Sequence, residues 1–223
     1  MTQKVFVVGT DTHVGKTWLT RMLTEALLAQ GVNAIALKPI ASGVDEDGIN
    51  ADVQALMQAQ GLTDVKQVNY YTFAMPAAPA LAARAEKKKI HLKAMHQWLD
   101  AKARDREVCL IEGVGGLMVP LADKLTGSDW LSQLPDAEVM LVVGARLGCL
   151  NHALLTLAKL EHMGRMPSWV MVNDCDQNGM AESMAREIKR WLPKGVRCWP
   201  ISHDSALTGE ALLALLGQET GEE

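Results

Sequence analysis

Short apolar runs alternating with longer amphipathic stretches predict an α/β protein built on a doubly wound, mostly parallel sheet. The apolar runs are continuous rather than alternating, as in strands covered by helices on both faces. The stretches between them repeat apolar residues at helical spacing. At 223 residues the chain is long enough to bury a sizeable core as one domain. A single domain over residues 1–223 is therefore expected, with an acidic, frayed tail at about residues 216–223.

The elements follow in order. A first strand at residues 5–8 runs into the loop GTDTHVGKT, and a helix at 18–30 follows it. A second strand at 34–37 leads into KPIASG, and a helix at 51–60 starts beside Asn50-Ala51-Asp52. Between residues 61 and 106 the rhythm loosens. Pro76 and Pro79 precede an alanine-rich segment, Lys87, Lys88 and Lys89 form a solvated face, and a helix is expected at 92–102. Strands at 108–111, 139–143, 169–172 and about 196–200 then alternate with helices at 152–163 and 180–191. No repeat, low-complexity tract or interdomain linker interrupts them. In such sheets ligands bind in the crevice at the carboxyl ends of the strands, so the polar residues after each strand are the candidates.

Composition excludes several partners. A formal net charge of −4 argues against a nucleic acid or an acidic membrane surface. No apolar run is long enough to span a bilayer, and no leader-like segment precedes the first strand. The four cysteines, Cys109, Cys149, Cys175 and Cys198, lie far apart. They suggest neither disulfides nor a zinc site, so a cytoplasmic protein is expected.

The loop after the first strand carries the strongest signal. The common phosphate-binding loop is G-x-x-x-x-G-K-[ST] between a strand and a helix. Here five residues separate Gly9 from Gly15, one more than usual, before Lys16 and Thr17. Backbone N–H groups from His13, Val14, Gly15, Lys16 and Thr17 can turn toward phosphate oxygens at the helix start, beside Trp18. Lys16 would reach the β- and γ-phosphates, and the Thr17 hydroxyl would ligate Mg²⁺. The bland alternative is a strand–helix turn with a solvated lysine. Taken with the α/β pattern, the loop predicts a P-loop NTPase fold. The run VCLIEG supports it, because Glu112 ends an apolar strand where a second metal-holding carboxylate belongs.

The other strand ends are less decisive. Lys38 follows the second strand and would place a second cation beside the triphosphate, where charge builds during attack on the γ-phosphate. Asp52 reads either as a first-turn helix acid or as a further metal carboxylate. Gly113, Val114 and Gly115 are either turn residues or a close approach to phosphate. The helix start near Gly148, Cys149, Leu150 and Asn151 could receive a carboxylate or be an ordinary turn. Asn173 and Asp174, with Pro200, Ile201 and Ser202, could border a nucleotide base or form plain turns. Of the histidines only His13 is well placed.

In family order, GTDTHVGKT, KPIASG, NAD, EGVGG, VVGARLGCLNH and VND span nearly the whole chain. The set resembles dethiobiotin synthetases, which close the ureido ring of dethiobiotin from 7,8-diaminononanoate, CO₂ and ATP. The resemblance implies that Lys38 and Lys16 supply the catalytic charge and that Mg²⁺ sits on Thr17, Asp52 and Glu112. It implies a diamine and carbamate pocket lined by Thr12, Lys38, Ser42 and Gly115. It implies ATP contacts from residues 13–18, Asp52, Glu112, Gly113, Val114, Gly115, Asn173, Asp174, Pro200, Ile201 and Ser202. Gly148, Cys149, Leu150 and Asn151 would receive the substrate carboxylate across a homodimer interface, giving shared active sites. Two departures stand out: His13 replaces a frequent acid, and ISHD at 201–204 matches less closely. They leave a paralogue acting on a related diamine as an alternative.

A partition-type switch ATPase is the competing reading. Those proteins carry a lysine early in the loop that reaches across a dimer, and Asp11 holds that position here.

Overall fold

A computed structural model describes residues 2–201. Its centre is a six-stranded parallel sheet. The strands are β1 (Gln3–Gly9), β2 (Ala34–Leu37), β5 (Val108–Gly116), β8 (Ala137–Gly144), β9 (Trp169–Asn173) and β10 (Arg197–Ile201), in the order β10-β9-β8-β1-β5-β2. All the pairings in this sheet are parallel. The order reverses beside β1, and that switch point puts the crevice above the ends of β1, β5 and β8.

Two apolar layers cover the sheet. One holds Phe6, Val8, Ile111, Trp130 and Val143; the other holds Val5, Val7, Leu19, Leu23 and Val142. Successive residues of β1 thus face opposite layers, which is why its sequence is apolar throughout. The helices expected from the sequence are α1 (Lys16–Ala29), α2 (Ala51–Ala59), α4 (Leu92–Ala103), α6 (Cys149–His162) and α7 (Ala181–Lys189). On α1, Leu19, Leu23 and Leu27 are buried at helical spacing.

Shorter elements fill the irregular stretches. The strands β3 (Ile40–Ser42) and β4 (Tyr71–Phe73) form a small parallel pair, followed by α3 (Pro79–Ala85). Pro79 opens α3, a position where its missing N–H costs nothing. An antiparallel pair, β6 (Pro120–Ala122) and β7 (Leu125–Thr126), precedes α5 (Gly127–Ser132). Lys87, Lys88 and Lys89 are exposed, as expected.

One strand runs further than the sequence implies. β5 continues past Glu112 to Gly116, with its register breaking on the way: Val7 pairs with Glu112, but Gly9 pairs with Gly116. The extra residues bulge outward and carry residues 113–115 toward the crevice. Glycine is needed there: Gly115 has φ of 59°, and a Cβ on Gly116 would lie 3.0 Å from the Thr10 carbonyl oxygen. Ser202, His203 and the tail at 216–223 lie outside the described residues. Among the described residues no helix is long and apolar enough to cross a membrane.

Candidate active site

The phosphate loop leaves β1 and enters α1 on Gly15, whose φ of 92° is the left-handed conformation glycine favours. A Cβ there would lie 2.0 Å from Asn173 Nδ2, so no other residue fits without displacing that side chain. No side chain caps α1 and no acid sits in its first turn. A helix start of this kind, with no side-chain cap and no acid, favours an anion. The loop is held from the next strand ends: Asn173 Nδ2 donates to the Val14 carbonyl at 3.0 Å.

A cavity of about 750 Å³ opens in front of this loop. Thr12, His13, Gly15, Lys16, Thr17, Trp18, Lys38, Ser42, Asp52, Val114, Gly115 and Asn173 all line it. Strand ends far apart in the chain therefore meet in one crevice. His13 is exposed there and holds a left-handed φ of 55°.

Three charged groups, Lys16, Lys38 and Asp52, line the floor of the cavity, while Glu112 does not line it and is buried against Lys38. Lys38 is 2% exposed and Glu112 is 0% exposed. The Lys38 ammonium donates to Glu112 Oε1 at 2.5 Å and to the Gly113 carbonyl at 3.1 Å, and lies 3.2 Å from Asp52 Oδ2. Thr17 Oγ1 donates to the same Glu112 Oε1 at 2.7 Å. Burial alone would push the Lys38 pKa down, but Glu112 and Asp52 outweigh it and raise it. Burial likewise acts to raise the Asp52 pKa; Lys38 and the Thr17 hydroxyl reverse that and hold it low.

Lys16 contrasts with Lys38. Its ammonium donates to the Asp11 carbonyl at 2.9 Å, a neutral partner. Burial, reinforced by Lys38, lowers its pKa to about 8 against the pull of Glu112, Asp52 and Asp11. Buried ion pairs are poor sources of stability, because desolvation offsets most of the attraction. A cluster of buried charge in a cleft therefore points to chemistry rather than to folding.

The donor set suits a hard cation. Glu112 Oε2 is buried without a hydrogen-bond partner, and it shares its carboxylate with Thr17 while Asp52 stands close by. Two carboxylates and a hydroxyl are all-oxygen ligands of the kind Mg²⁺ takes. Ser42 Oγ and Asn173 Oδ1 are also buried without partners on the cavity wall.

Several expected residues lie elsewhere or act through their backbone. The Val14 side chain is buried in the core, and Gly113 offers its carbonyl to Lys38. The Asp174 carboxylate accepts from the N–H groups of Asn178 and Gly179 at 3.0 and 2.9 Å, so it holds its own loop. Pro200 lines a separate depression with Glu182, Arg186 and Lys189. Ile201 is buried in the core, and Ser202 lies outside the described residues. Gly148, Cys149, Leu150 and Asn151 do not line the cavity either. Asp52 sits in the first turn of α2, where Asn50 is the cap, and its carboxylate pairs with Lys38.

The sequence reading missed an apolar wall. Pro76, Ala77, Ala78, Pro79 and Val119 line the cavity opposite the phosphate loop, with Cys175 at its edge. Gly43 brings that wall in, since a Cβ at its φ of 84° would lie 3.1 Å from Pro76 Cβ. The two prolines were visible in the sequence, but only the pairing of β3 with β4 places them here.

A family model described as an AAA domain matches residues 3–188. An ATP-dependent dethiobiotin synthetase BioD 1 of Escherichia coli O157:H7 is 38% identical, covering 97% of this chain and 100% of its own length. The protein of the same description from Escherichia coli strain K12 is 39% identical with the same coverage. The ATP-dependent dethiobiotin synthetase of Vibrio vulnificus strain YJ016 is 38% identical over 76% of this chain and 77% of its own. Among solved structures, HypB from Helicobacter pylori in complex with nickel gives a TM-score of 0.58 at 14% identity, covering 98% of this chain and 87% of its own. A putative plasmid partition protein from Borrelia burgdorferi B31 bound to AMPPNP gives 0.54 at 11%, covering 98% and 99%. At such identities these structures share the fold alone. Motif order, cavity and near full-length identity converge, and the chain belongs to the dethiobiotin synthetase family.

Proposed function

We propose that this protein uses ATP to carboxylate 7,8-diaminononanoate and close the ureido ring of dethiobiotin. The observation that carries the reading is the meeting of Lys16, Lys38 and Asp52 at one cavity floor beside the phosphate loop, with Glu112 buried against Lys38. The near full-length identity to named dethiobiotin synthetases supports the choice of substrate.

In this reading one substrate amine captures CO₂ as a carbamate and releases a proton. The carbamate oxygen attacks the γ-phosphorus, and ADP leaves. The second amine then attacks the carbonyl carbon, loses a proton and expels inorganic phosphate. The protein supplies alignment and charge rather than covalent chemistry. Lys16 holds the β- and γ-phosphates, and Lys38 faces the oxygens that gain charge as the carbamate reacts. Mg²⁺ bound through Thr17, Asp52 and Glu112 would offset the remaining triphosphate charge. Thr12 and Ser42 offer hydroxyls to the carbamate, and the unpaired Ser42 Oγ gains the partner it lacks. The apolar wall at Pro76 and Pro79 suits an aliphatic chain. Asn173, with Oδ1 free, offers an acceptor to the adenine amino group.

The substrate carboxylate goes to the α6 start of a second copy, making a homodimer with shared sites. What supports this is that the start of α6, which no side chain caps, does not line the cavity of its own chain and lies beside the exposed Leu147 and Leu155. A partition-type switch is disfavoured by Asp11. Its carboxylate accepts from Thr12 N–H at 2.7 Å within its own loop, where a switch would extend a lysine outward.

The test is incubation with ATP, Mg²⁺, bicarbonate and 7,8-diaminononanoate, with mass detection of dethiobiotin. Product dependent on all four confirms the reading. Absence of product, with phosphate release stimulated instead by a protein partner, would sink it.

A further inference from the structure

We propose that Arg146 is a positioning residue of the phosphate loop: by holding Asp11 and Thr12 it keeps the Lys16 ammonium aimed into the cavity. Arg146 Nη2 donates to Asp11 Oδ2 and to the Thr12 carbonyl, each at 3.4 Å. Asp11 is the hinge of the loop. Its Oδ1 accepts from Thr12 N–H at 2.7 Å, and its carbonyl accepts from the Lys16 ammonium at 2.9 Å. One guanidinium thus braces the residue whose backbone aims the phosphate-binding lysine.

The mount of Arg146 is rigid, as a brace requires. Ala145 N–H donates to the Asn173 carbonyl at 2.7 Å, and Asn178 Nδ2 donates to the Ala145 carbonyl at 2.9 Å. Cys149 N–H donates to the Arg146 carbonyl at 3.0 Å. The loop also lies directly against the phosphate loop at Gly144, where a Cβ would sit 3.2 Å from Val14 Cγ1. Arg146 therefore joins two loops already packed together, which lowers the entropic cost of its contacts.

Charge points the same way. Asp11 places a carboxylate on a loop built to receive a triphosphate, and an unpaired anion there would oppose binding. Arg146 lies within ion-pair distance of it. Both side chains are partly exposed and the contacts are long, so the pair adds little to fold stability. Its effect belongs to the loop.

The inference rests on the cavity as an ATP site and not on the identity of the diamine. The experiment is a double-substitution cycle read by Mg·ATP affinity in calorimetry and by kcat in the synthetase assay. R146Q should weaken ATP binding by about fivefold and lower kcat at least as much. R146K should recover most of both, because a cation is restored opposite Asp11. In a D11N background R146Q should cost less than about twofold in ATP affinity. Unchanged affinity in R146Q would overturn the proposal. So would an equal loss in the D11N background, which would mean that Arg146 touches the nucleotide itself, or failure of R146K to rescue. If the wild-type protein binds ATP but makes no dethiobiotin, the affinity arm of the cycle still reads, and the proposed substrate is what fails.

Discussion

Helices α1 and α6 begin alike and face different surroundings. Each follows a strand of the central sheet, starts on a left-handed glycine (φ of 92° at Gly15, 91° at Gly148), and lacks a side-chain cap and a first-turn acid. Both helix starts carry the partial positive charge that favours an anion, although at α6 the Cys149 N–H already donates to the Arg146 carbonyl at 3.0 Å. The α1 start opens into the cavity, with Lys16 and Lys38 at its floor. The α6 start does not: Leu147 is 96% exposed, and a Cβ on Gly148 would meet nothing within 4 Å. The same local chemistry becomes a finished site only where neighbouring strands add charge and walls. The α1 end is built within one chain, while the α6 end waits for something to be laid against it.

The sharpest way to break this comparison is to remove the charge that completes the α1 end. K16A should lower kcat by roughly 10³-fold, since the lysine meets charge that is largest in the transition state. If Lys38 serves the reacting carbamate, K38A should lower kcat by roughly 10²-fold while ATP affinity changes little. Equal losses in kcat and ATP affinity for K38A, measured by turnover and by calorimetry, would move Lys38 to a nucleotide role. Glu112 tests the same floor from below. E112Q removes half the charge pairing around a fully buried ammonium and should destabilise the protein by about 3 kcal/mol, read as a fall in the denaturation midpoint.

The completed end was also the legible one. Lys38 directly follows β2, Lys16 and Thr17 open the helix after the β1 loop, and Glu112 closes the apolar run within β5, so the carboxyl-end rule alone brings them together. The five main helices were legible from their helical period and the six main strands from their short apolar runs. The small β3–β4 pair, α3 and the β6–β7 pair were not, because strands of two or three residues carry no period to read. The apolar wall was lost with them. Asp174 misled because a carboxylate after a strand looks the same whether it faces a ligand or caps its own turn; only the hydrogen bonds from Asn178 and Gly179 distinguish the two.

The α6 end can be tested by one methyl group. G148A forces a φ of 91° on a residue with a Cβ, which strains the helix start by about 1–2 kcal/mol although no atom stands in the way. If α6 receives the substrate carboxylate of a second copy, KM for the diamine should rise about tenfold while ATP affinity stays unchanged. A fall in ATP affinity with KM for the diamine unaltered would show that the two helix starts are not separate sites.

The smallest effect comes from the contrast between the two lysines. Lys38 is held charged by Glu112 and Asp52, with its pKa raised, so it stays an ammonium through the neutral range. Lys16, facing a carbonyl, has its pKa lowered by burial to about 8. In the protein without nucleotide, charged Lys16 therefore costs stability below about pH 8. That cost is relieved as pH rises from 8 toward the ordinary lysine value, since the unfolded chain binds the extra proton over that window. A triphosphate reverses the preference by favouring the charged form. ATP affinity should thus weaken about fourfold between pH 7 and 8.5, with proton uptake on binding near pH 8. Calorimetry in buffers of different ionisation enthalpy reads that uptake, and K16M should abolish it. Uptake that persists in K16M would assign the proton to a group other than Lys16.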